Sequence, residues 1–252
     1  MNLNRSYGGM LLQMIYISPN IDVRLLLDLN SKMPLNDLGA KIVGFIGGNP
    51  FFRGFPVFFP LVALWFSSDS RTRRSRMLVG LLATCVATVL SVWMQHHLVT
   101  HIRPILDPTL RLQGIRPEWT MGWDRLDSFP SDVSSLFFSL ATVIFLEHRI
   151  VGGFAFLWSF VTIGITRVVM GFHYPSDIAG GLLLGVACVY LFSTIRPLRV
   201  FFEHLLLRWE PRIYVVHALL FLFLADAYWA FGGLQEFYRG FGMIGAYLIR
   251  RH

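Results

Sequence analysis

Charged side chains are scarce in this sequence of 252 residues. Only 15% of its residues are charged, whereas a soluble globular protein has about 25%. Hydrophobic residues make up 54% of the chain, and the mean hydropathy is +0.55. This balance excludes an ordinary soluble domain and predicts a protein with several membrane-spanning helices. No linker-like stretch divides the chain, so we expect a single domain.

Cysteine is nearly absent as well, since the chain has only two, Cys85 and Cys188. Each lies inside an apolar run, which excludes a disulfide framework or a cysteine metal site and predicts two small buried side chains. A cleavable signal peptide is not predicted either, because the apolar patch at residues 10–17 is short and no small-residue cleavage site follows it.

Acidic residues are fewer than basic ones, which gives a net charge of +7. The basic residues cluster in short loops between apolar runs, as the positive-inside rule describes, so we do not expect a nucleic-acid partner. Four of them, Arg71, Arg73, Arg74 and Arg76, occupy one short loop. That loop is predicted to be cytoplasmic.

The apolar runs predict an all-α membrane bundle of about six transmembrane helices. Residues 1–50 are expected to form an interfacial segment, with an amphipathic helix over 21–33 lying on the membrane surface. Residues 51–195 would form the catalytic core, and residues 196–252 an interfacial helix and one further span. The predicted spans cover residues 54–68, 77–94, 133–146, 150–166, 178–195 and 213–231.

Two polar segments, residues 95–131 and 167–177, interrupt these runs. If the arginine-rich loop is cytoplasmic, the order of the spans puts both segments on the opposite face of the membrane. They are therefore expected to meet in one site.

The second polar segment contains Arg167, then five residues, His173, then three residues, and Asp177. A carboxylate one helical turn from a histidine can hold the ring in one tautomer and leave the other nitrogen free to attack. An arginine nearby can bind phosphate oxygens through two parallel hydrogen bonds. This spacing favours a phosphate-processing site at the membrane surface.

Three motifs in this order resemble the type 2 phosphatidic acid phosphatase (PAP2) superfamily of membrane lipid phosphatases. The family pattern is Lys, six residues, Arg-Pro; Pro-Ser-Gly-His; and Ser-Arg, five residues, His, three residues, Asp. The third motif is nearly intact, whereas the first two are degraded. The corresponding residues here are His96 and Arg103-Pro104; Pro130-Ser131-Asp132-Val133; and Thr166-Arg167, His173 and Asp177.

The resemblance implies a role for each matching position. His173 would attack the terminal phosphorus and form a phosphohistidine, with Asp177 orienting it. Arg103 and Arg167 would hold the phosphate oxygens and offset the developing charge. The resemblance implies no metal and no other cofactor.

Three segments of the first two motifs have two interpretations each. Ser131 and Asp132 begin a helix, and they either only cap it or also contribute to the phosphate site. His96 stands where the family has lysine, and is either a phosphate donor or an interfacial residue. Arg103-Pro104 is either a phosphate ligand or a simple helix stop with a snorkelling arginine.

Val133 is the main departure from the pattern, because the family has a histidine there that is thought to protonate the leaving oxygen. An alcohol leaving group has a pKa on the order of 15, like water, whereas a phosphate monoester has a second pKa of about 6. Cleavage of a diphosphate therefore needs less acid assistance, which favours a polyprenyl diphosphate over phosphatidic acid. Alternatively, another acid substitutes for the histidine: Asp132, Asp127, Asp124 or His101.

The sequence thus predicts a membrane lipid phosphatase that acts on the extracytoplasmic face of the cytoplasmic (inner) membrane. Its partners would be a lipid phosphate or diphosphate substrate and the surrounding membrane lipids, and the sequence identifies no protein partner. Two alternatives stay open. One is a phosphotransferase that passes phosphate to a lipid or glycan acceptor. The other is a catalytically weakened lipid-phosphate-binding protein, which Val133 and His96 favour.

Overall fold

The computed structural model describes residues 19–32, 37–67, 70–97, 102–115 and 127–228. These residues form helices joined by short turns, with no β-strand among them, which confirms the predicted all-α class. The helices are α1 (Pro19–Ser31), α2 (Asp37–Gly48), α3 (Pro50–Phe66), α4 (Arg71–His97), α5 (Asp132–Glu147), α6 (Arg149–Val169), α7 (Pro175–Ser193), α8 (Arg196–Trp209) and α9 (Ile213–Tyr228).

Three of these helices, α4, α6 and α7, are long and apolar enough to cross a membrane, with 27, 21 and 19 residues. The other predicted spans correspond to α3, α5 and α9, which have 17, 16 and 16 residues. A membrane-spanning helix needs about 20 residues, with a range of roughly 17–25. The count of six spans therefore stays a prediction.

Helix α5 lies at the centre of the bundle, since every residue from Val133 to Ile144 is buried. It packs against α4, α6 and α7. Small polar side chains allow these helices to approach closely, and they satisfy one another by hydrogen bonds. The Ser135 hydroxyl, for example, donates to Oγ of Ser91 on α4 at 3.2 Å.

Two glycines on α7 allow a close contact with α5. A Cβ atom on Gly181 would lie 2.5 Å from the carbonyl oxygen of Ser131, and one on Gly185 would lie 2.6 Å from that of Ser135. Both positions therefore need glycine for α7 to lie against α5. The stretch from Gly181 to Gly185 therefore serves helix packing.

The two ends of the bundle have different polar contacts. At one end, Arg73 and Arg76 bind Glu147 at 3.2 and 2.8 Å. About 30 Å away along α4, Gln95 donates to the carbonyl oxygen of Pro130 at 2.6 Å. The described parts of the two polar segments meet at this second end, as the order of the spans predicts.

Helix α6 changes its winding before it reaches that end. Residues Arg149–Ser159 are α-helical, Phe160–Ile165 form a π-helical turn, and Thr166–Val169 form a last α-helical turn. π-Turns inside α-helices are rare and occur often at functional sites. Here the π-turn ends at Ile165, two residues before Arg167.

We expect Gly181→Ala to destabilise the bundle by about 1–3 kcal/mol, because the added methyl group overpacks the α5–α7 contact. The measurement is thermal unfolding in detergent. Gly153→Ala on α6 is the matched control, since a Cβ atom there meets nothing within 4 Å. That change should leave the melting temperature unchanged or raise it, because alanine favours helix. Equal melting temperatures for the two variants would contradict the packing argument.

Candidate active site

A tight turn at the end of α6 brings His173 back toward the bundle. Gly171 has a φ of +72°, the left-handed conformation that glycine adopts without strain. The amide of Phe172 donates to the carbonyl oxygen of Arg167 at 2.9 Å, and that of Gly171 donates to Val168 at 2.9 Å. These two bonds are the Schellman pattern of a helix C-terminus. The chain therefore reverses within four residues of Arg167.

The imidazole of His173 is fully buried, and both of its nitrogens have partners. Its Nδ1 lies 3.0 Å from the carbonyl oxygen of Ser128, and its Nε2 lies 3.1 Å from Nη1 of Arg103. A carbonyl oxygen only accepts and a guanidinium only donates. These partners assign the proton to Nδ1 and the lone pair to Nε2.

Asp177 supports this arrangement from the first turn of α7. Its Oδ2 lies 3.3 Å from Nδ1 of His173, and it accepts hydrogen bonds from the amide of Tyr174 at 2.7 Å and from the hydroxyl of Ser128. Ser128 thus contacts the histidine through its carbonyl oxygen and the aspartate through its hydroxyl. The sequence analysis missed Ser128, although it lies only two residues before the Pro130-Ser131 motif.

Arg103 is held by the same turn. Its Nη1 donates to the carbonyl oxygen of Phe172 at 3.3 Å, and the amide of Ile105 donates to that of Gly171 at 2.7 Å. Burial lowers the pKa of the Arg103 guanidinium, whereas the negative charges of Asp132, Asp177 and Asp127 raise it. Arg103-Pro104 is therefore more than a helix stop, because its guanidinium is buried in the site.

Two more arginines lie close to this cluster. The Arg167 side chain is 8% exposed, and its Nε has no hydrogen-bond partner among the described residues. Its charge is repelled by Arg53 and Arg103 and attracted by Asp132. Arg53, in the first turn of α3, is also 8% exposed. The sequence analysis missed Arg53, because it precedes an apolar run and belongs to none of the three motifs.

Ser131 caps α5 as predicted, since its hydroxyl accepts from the amide of Ser134 at 3.4 Å. Its own amide donates to the carbonyl oxygen of Asp177 at 3.0 Å, which ties the start of α5 to the start of α7. Asp132 is half-buried, and its Oδ1 lies 3.4 Å from Nε2 of Gln95. Ser131 is therefore tied to the residue that contacts the histidine, and Asp132 lies close enough to act on the charges of Arg103 and Arg167.

His96 does not join these residues. Its side chain is exposed, and its Nδ1 lies 2.8 Å from the carbonyl oxygen of Val92 in its own helix. Gln95 is instead the buried residue at this end of α4. The interpretation of His96 as a phosphate donor is therefore not supported, because successive residues on a helix point in directions about 100° apart.

Val133, the position of the family histidine, is buried in the large apolar cluster of the bundle. Of the alternative acids, Asp132 and Asp127 lie close enough to act on the charge of Arg103. Asp124 and His101 lie outside the described residues. Within the described part of the chain, no group of three histidine, cysteine, aspartate or glutamate side chains is arranged to hold a metal ion.

The arrangement is a buried imidazole whose Nε2 faces the guanidinium of Arg103, at the end of a membrane bundle. Arg53 and Arg103 both act on the charge of Arg167, which is buried as well. Residues 78–201 match the model of the PAP2 superfamily. Through this stretch, about half of its length, the chain is similar to the PAP2 superfamily.

Three curated relatives match parts of the chain. The putative undecaprenyl-diphosphatase YbjG of Escherichia coli (strain K12) is 33% identical over 132 residues, 50% of this chain and 61% of that protein. The bacitracin transport permease protein BcrC of Bacillus licheniformis is 45% identical over 69 residues, 27% of this chain and 34% of that protein. A lipid A 1-phosphatase of Rhizobium johnstonii is 37% identical over 67 residues, 25% of this chain and 26% of that protein. No solved structure gives a significant match.

The match to the PAP2 superfamily contains Arg103, Ser128, Arg167, His173 and Asp177. Arg53 and helices α1 to α3 precede it. The site therefore combines residues inside the matched stretch with residues that the family model does not cover.

We expect nitrogen NMR of ¹⁵N-histidine-labelled protein to show His173 protonated at Nδ1 and unprotonated at Nε2 at neutral pH. The His173→Gln variant identifies the signal by its loss. Asp177→Asn should leave the tautomer unchanged, because the carbonyl oxygen of Ser128 still accepts from Nδ1. A proton found on Nε2 would contradict the assignment.

Proposed function

We propose that this protein is a lipid phosphatase that removes the terminal phosphate of a polyprenyl diphosphate through a phosphohistidine intermediate. The observation that carries the proposal is the position of Nε2 of His173. This nitrogen carries a lone pair and lies 3.1 Å from Nη1 of Arg103, in a buried cluster rich in arginine. A phosphoryl group that displaces this Arg103 contact would meet the nucleophile and its charge-stabilising partner together.

In the proposed reaction, Nε2 of His173 forms a bond to the terminal phosphorus. The bridging P–O bond breaks, and its electron pair leaves with the lipid monophosphate. The imidazolium that forms keeps its proton on Nδ1, which donates it to a hydrogen bond with the carbonyl oxygen of Ser128 and lies beside the carboxylate of Asp177. Water then attacks the phosphorus, the P–N bond breaks, and inorganic phosphate leaves together with one proton.

The arginines account for the stabilisation of the transition state. The transferred phosphoryl group spreads negative charge over its oxygens, and fixed guanidinium groups in a buried pocket stabilise that charge strongly. Arg103 and Arg167 are assigned to the transferred phosphoryl group. Arg53, which acts on the charge of Arg167, is assigned to the second phosphate of the substrate.

Val133 supports a diphosphate substrate. A valine buried in an apolar cluster cannot transfer a proton, so the leaving group must depart with little acid assistance. A lipid monophosphate meets this requirement, because its second pKa is about 6. The name of one relative, a putative undecaprenyl-diphosphatase, points in the same direction. The name of another, a lipid A 1-phosphatase, supports a lipid phosphatase without favouring a diphosphate.

We assign the protein to the cytoplasmic (inner) membrane, with the site on the extracytoplasmic face. The arginine-rich start of α4, from Arg71 to Arg76, lies at the end of the bundle opposite His173. Because cytoplasmic loops are rich in arginine and lysine, this end is assigned to the cytoplasm.

Purified protein in detergent is expected to release phosphate from a polyprenyl diphosphate faster than from phosphatidic acid, without added metal. The variant His173→Ala should abolish release, because it removes the nucleophile. The variant Val133→His should reduce the preference for the diphosphate, because it restores an acid for poor leaving groups. Faster turnover of phosphatidic acid by the parent protein would rule out the leaving-group argument. Binding without turnover by the parent, together with turnover by Val133→His, would identify a lipid-phosphate-binding protein instead.

Arg53→Gln is expected to lower kcat/KM for a polyprenyl diphosphate by about 10- to 100-fold. This range corresponds to the loss of one charged hydrogen bond, about 1.5–3 kcal/mol. The loss should be smaller for a polyprenyl monophosphate, which has no second phosphate for Arg53 to bind. Arg24→Gln, on the exposed side of α1, is the matched control and should change neither rate. Equal losses on both substrates would contradict the assignment of Arg53 to the second phosphate.

A further inference from the structure

Helix α1 precedes the match to the PAP2 superfamily. It nevertheless contacts residues 167–177, which carry Arg167, His173 and Asp177 and are called the catalytic turn below. Its buried residues repeat every fourth position: Asp22, Leu26 and Asn30. Asp22 is 1% exposed and Asn30 is 2% exposed. A helix that only lay on a membrane would turn such polar side chains toward water. These two instead face the protein.

Asp22 completes the first turn of α7. Its Oδ1 accepts from the amide of Ser176 at 2.9 Å, and its Oδ2 accepts from the Ser176 hydroxyl at 2.5 Å. The first amides of a helix need acceptors outside the helix, and serine, threonine, aspartate or asparagine at the N-cap normally provides one. The N-cap of α7 is Tyr174. A carboxylate from a helix 154 residues earlier therefore serves as an acceptor for this helix start.

Asn30 holds the other side of the catalytic turn. Its Nδ2 donates to the carbonyl oxygen of Val169 at 2.9 Å and to that of Gln113 at 3.1 Å. Its Oδ1 accepts from the amide of Gln113 at 2.7 Å. Val169 ends the helical turn that contains Arg167, and Gln113 belongs to the segment that contains Arg103. One side chain thus joins both arginine-bearing segments.

Leu26 fills the space between these two polar contacts. It is fully buried in a small apolar cluster with Val168, Tyr174 and Ile178. Asp22 and Asn30 are eight residues apart, which corresponds to about 12 Å along a helix axis. The rigid length of α1 therefore spans the turn, from the residues beside Arg167 to the residues beside Asp177.

We propose that α1 is a splint that sets the position of Arg167 relative to His173 and Asp177, with Asp22 and Asn30 as its positioning residues. Neither residue is assigned a contact with substrate. Each acts through the backbone of the turn that the catalytic groups share. The effect on reaction rate rests on the phosphatase function proposed above, whereas the effect on the order of the turn does not.

The test compares two aspartates on the same helix. Asp22→Ala removes the acceptor of Ser176, whereas Asp28→Ala removes a carboxylate that is 63% exposed and is paired with Lys32 at the surface. The readout is the single-turnover rate constant of phosphate release from a polyprenyl diphosphate at saturating enzyme, which does not depend on the fraction of inactive protein. Asp22→Ala should lower it by about 10- to 100-fold, since small misplacements of catalytic groups have effects of this size. Asp28→Ala should not change it.

Rescue separates positioning from simple loss of folding. Asp22→Asn keeps an acceptor for the Ser176 amide, and asparagine caps helices about as well as aspartate. It should therefore restore most of the rate. If Asp22→Ala does not fold, Asn30→Ala tests the other end of the splint in the same way. Its control is Ser31→Ala, at the neighbouring exposed position. Asn30→Ala should lower the rate constant, and Ser31→Ala should not.

A second readout does not require turnover. Hydrogen–deuterium exchange of the peptide covering residues 168–180 should rise in Asp22→Ala and stay at the parent level in Asp28→Ala. If the parent releases no phosphate, the proposed function fails, and exchange alone decides on the splint. Equal rate constants for Asp22→Ala and Asp28→Ala in an active parent, or a rate that Asp22→Asn does not restore, would overturn the inference.

Discussion

The hydrogen bond between Nδ1 of His173 and the carbonyl oxygen of Ser128 is the contact on which the rest of the site depends. A carbonyl oxygen is fixed by the backbone and cannot donate, so it sets the ring orientation and the tautomer together. Its position depends in turn on the start of α5, which the amide of Ser131 ties to α7. The glycine contact between α5 and α7 therefore has a consequence for chemistry as well as for packing.

Buried charge of one sign is the second constraint. Arg53 and Arg103 both repel Arg167 in a buried cluster where water screens little, whereas Asp132 attracts it. Such a cluster is costly in an empty site and becomes favourable when an anion enters. The proposed substrate, with two phosphates, supplies more negative charge than a monophosphate does. The same physical feature thus accounts for the buried cations and for the choice of substrate.

The sequence predicted the parts of the site that depend on local spacing. The Arg167–His173–Asp177 pattern, the N-cap at Ser131 and the order of the spans are properties of short segments, and the structure places these segments together. The sequence could not predict that the side chain of His96 is exposed, because its direction depends on the rotation of α4 about its axis. A shift of one residue along the helix would exchange His96 with Gln95, which is buried. Ser128 acts partly through its carbonyl oxygen, which side-chain patterns do not reveal. Asp22 and Arg53 were missed because their partners are more than 100 residues away in sequence.

The π-turn at Phe160–Ile165 has a consequence for how α6 is compared with other helices. A π-turn accommodates one residue more than the α-helical path would, which rotates everything after it by about 100°. The lipid-facing stripe of the first half of α6 and the site-facing stripe around Arg167 therefore do not share one helical phase. A chain of the same length that wound as a plain α-helix here would direct the same arginine away from the site, while keeping every motif spacing intact. The spacing of the motif alone therefore does not determine where Arg167 points, because the winding of the apolar segment before it matters as well.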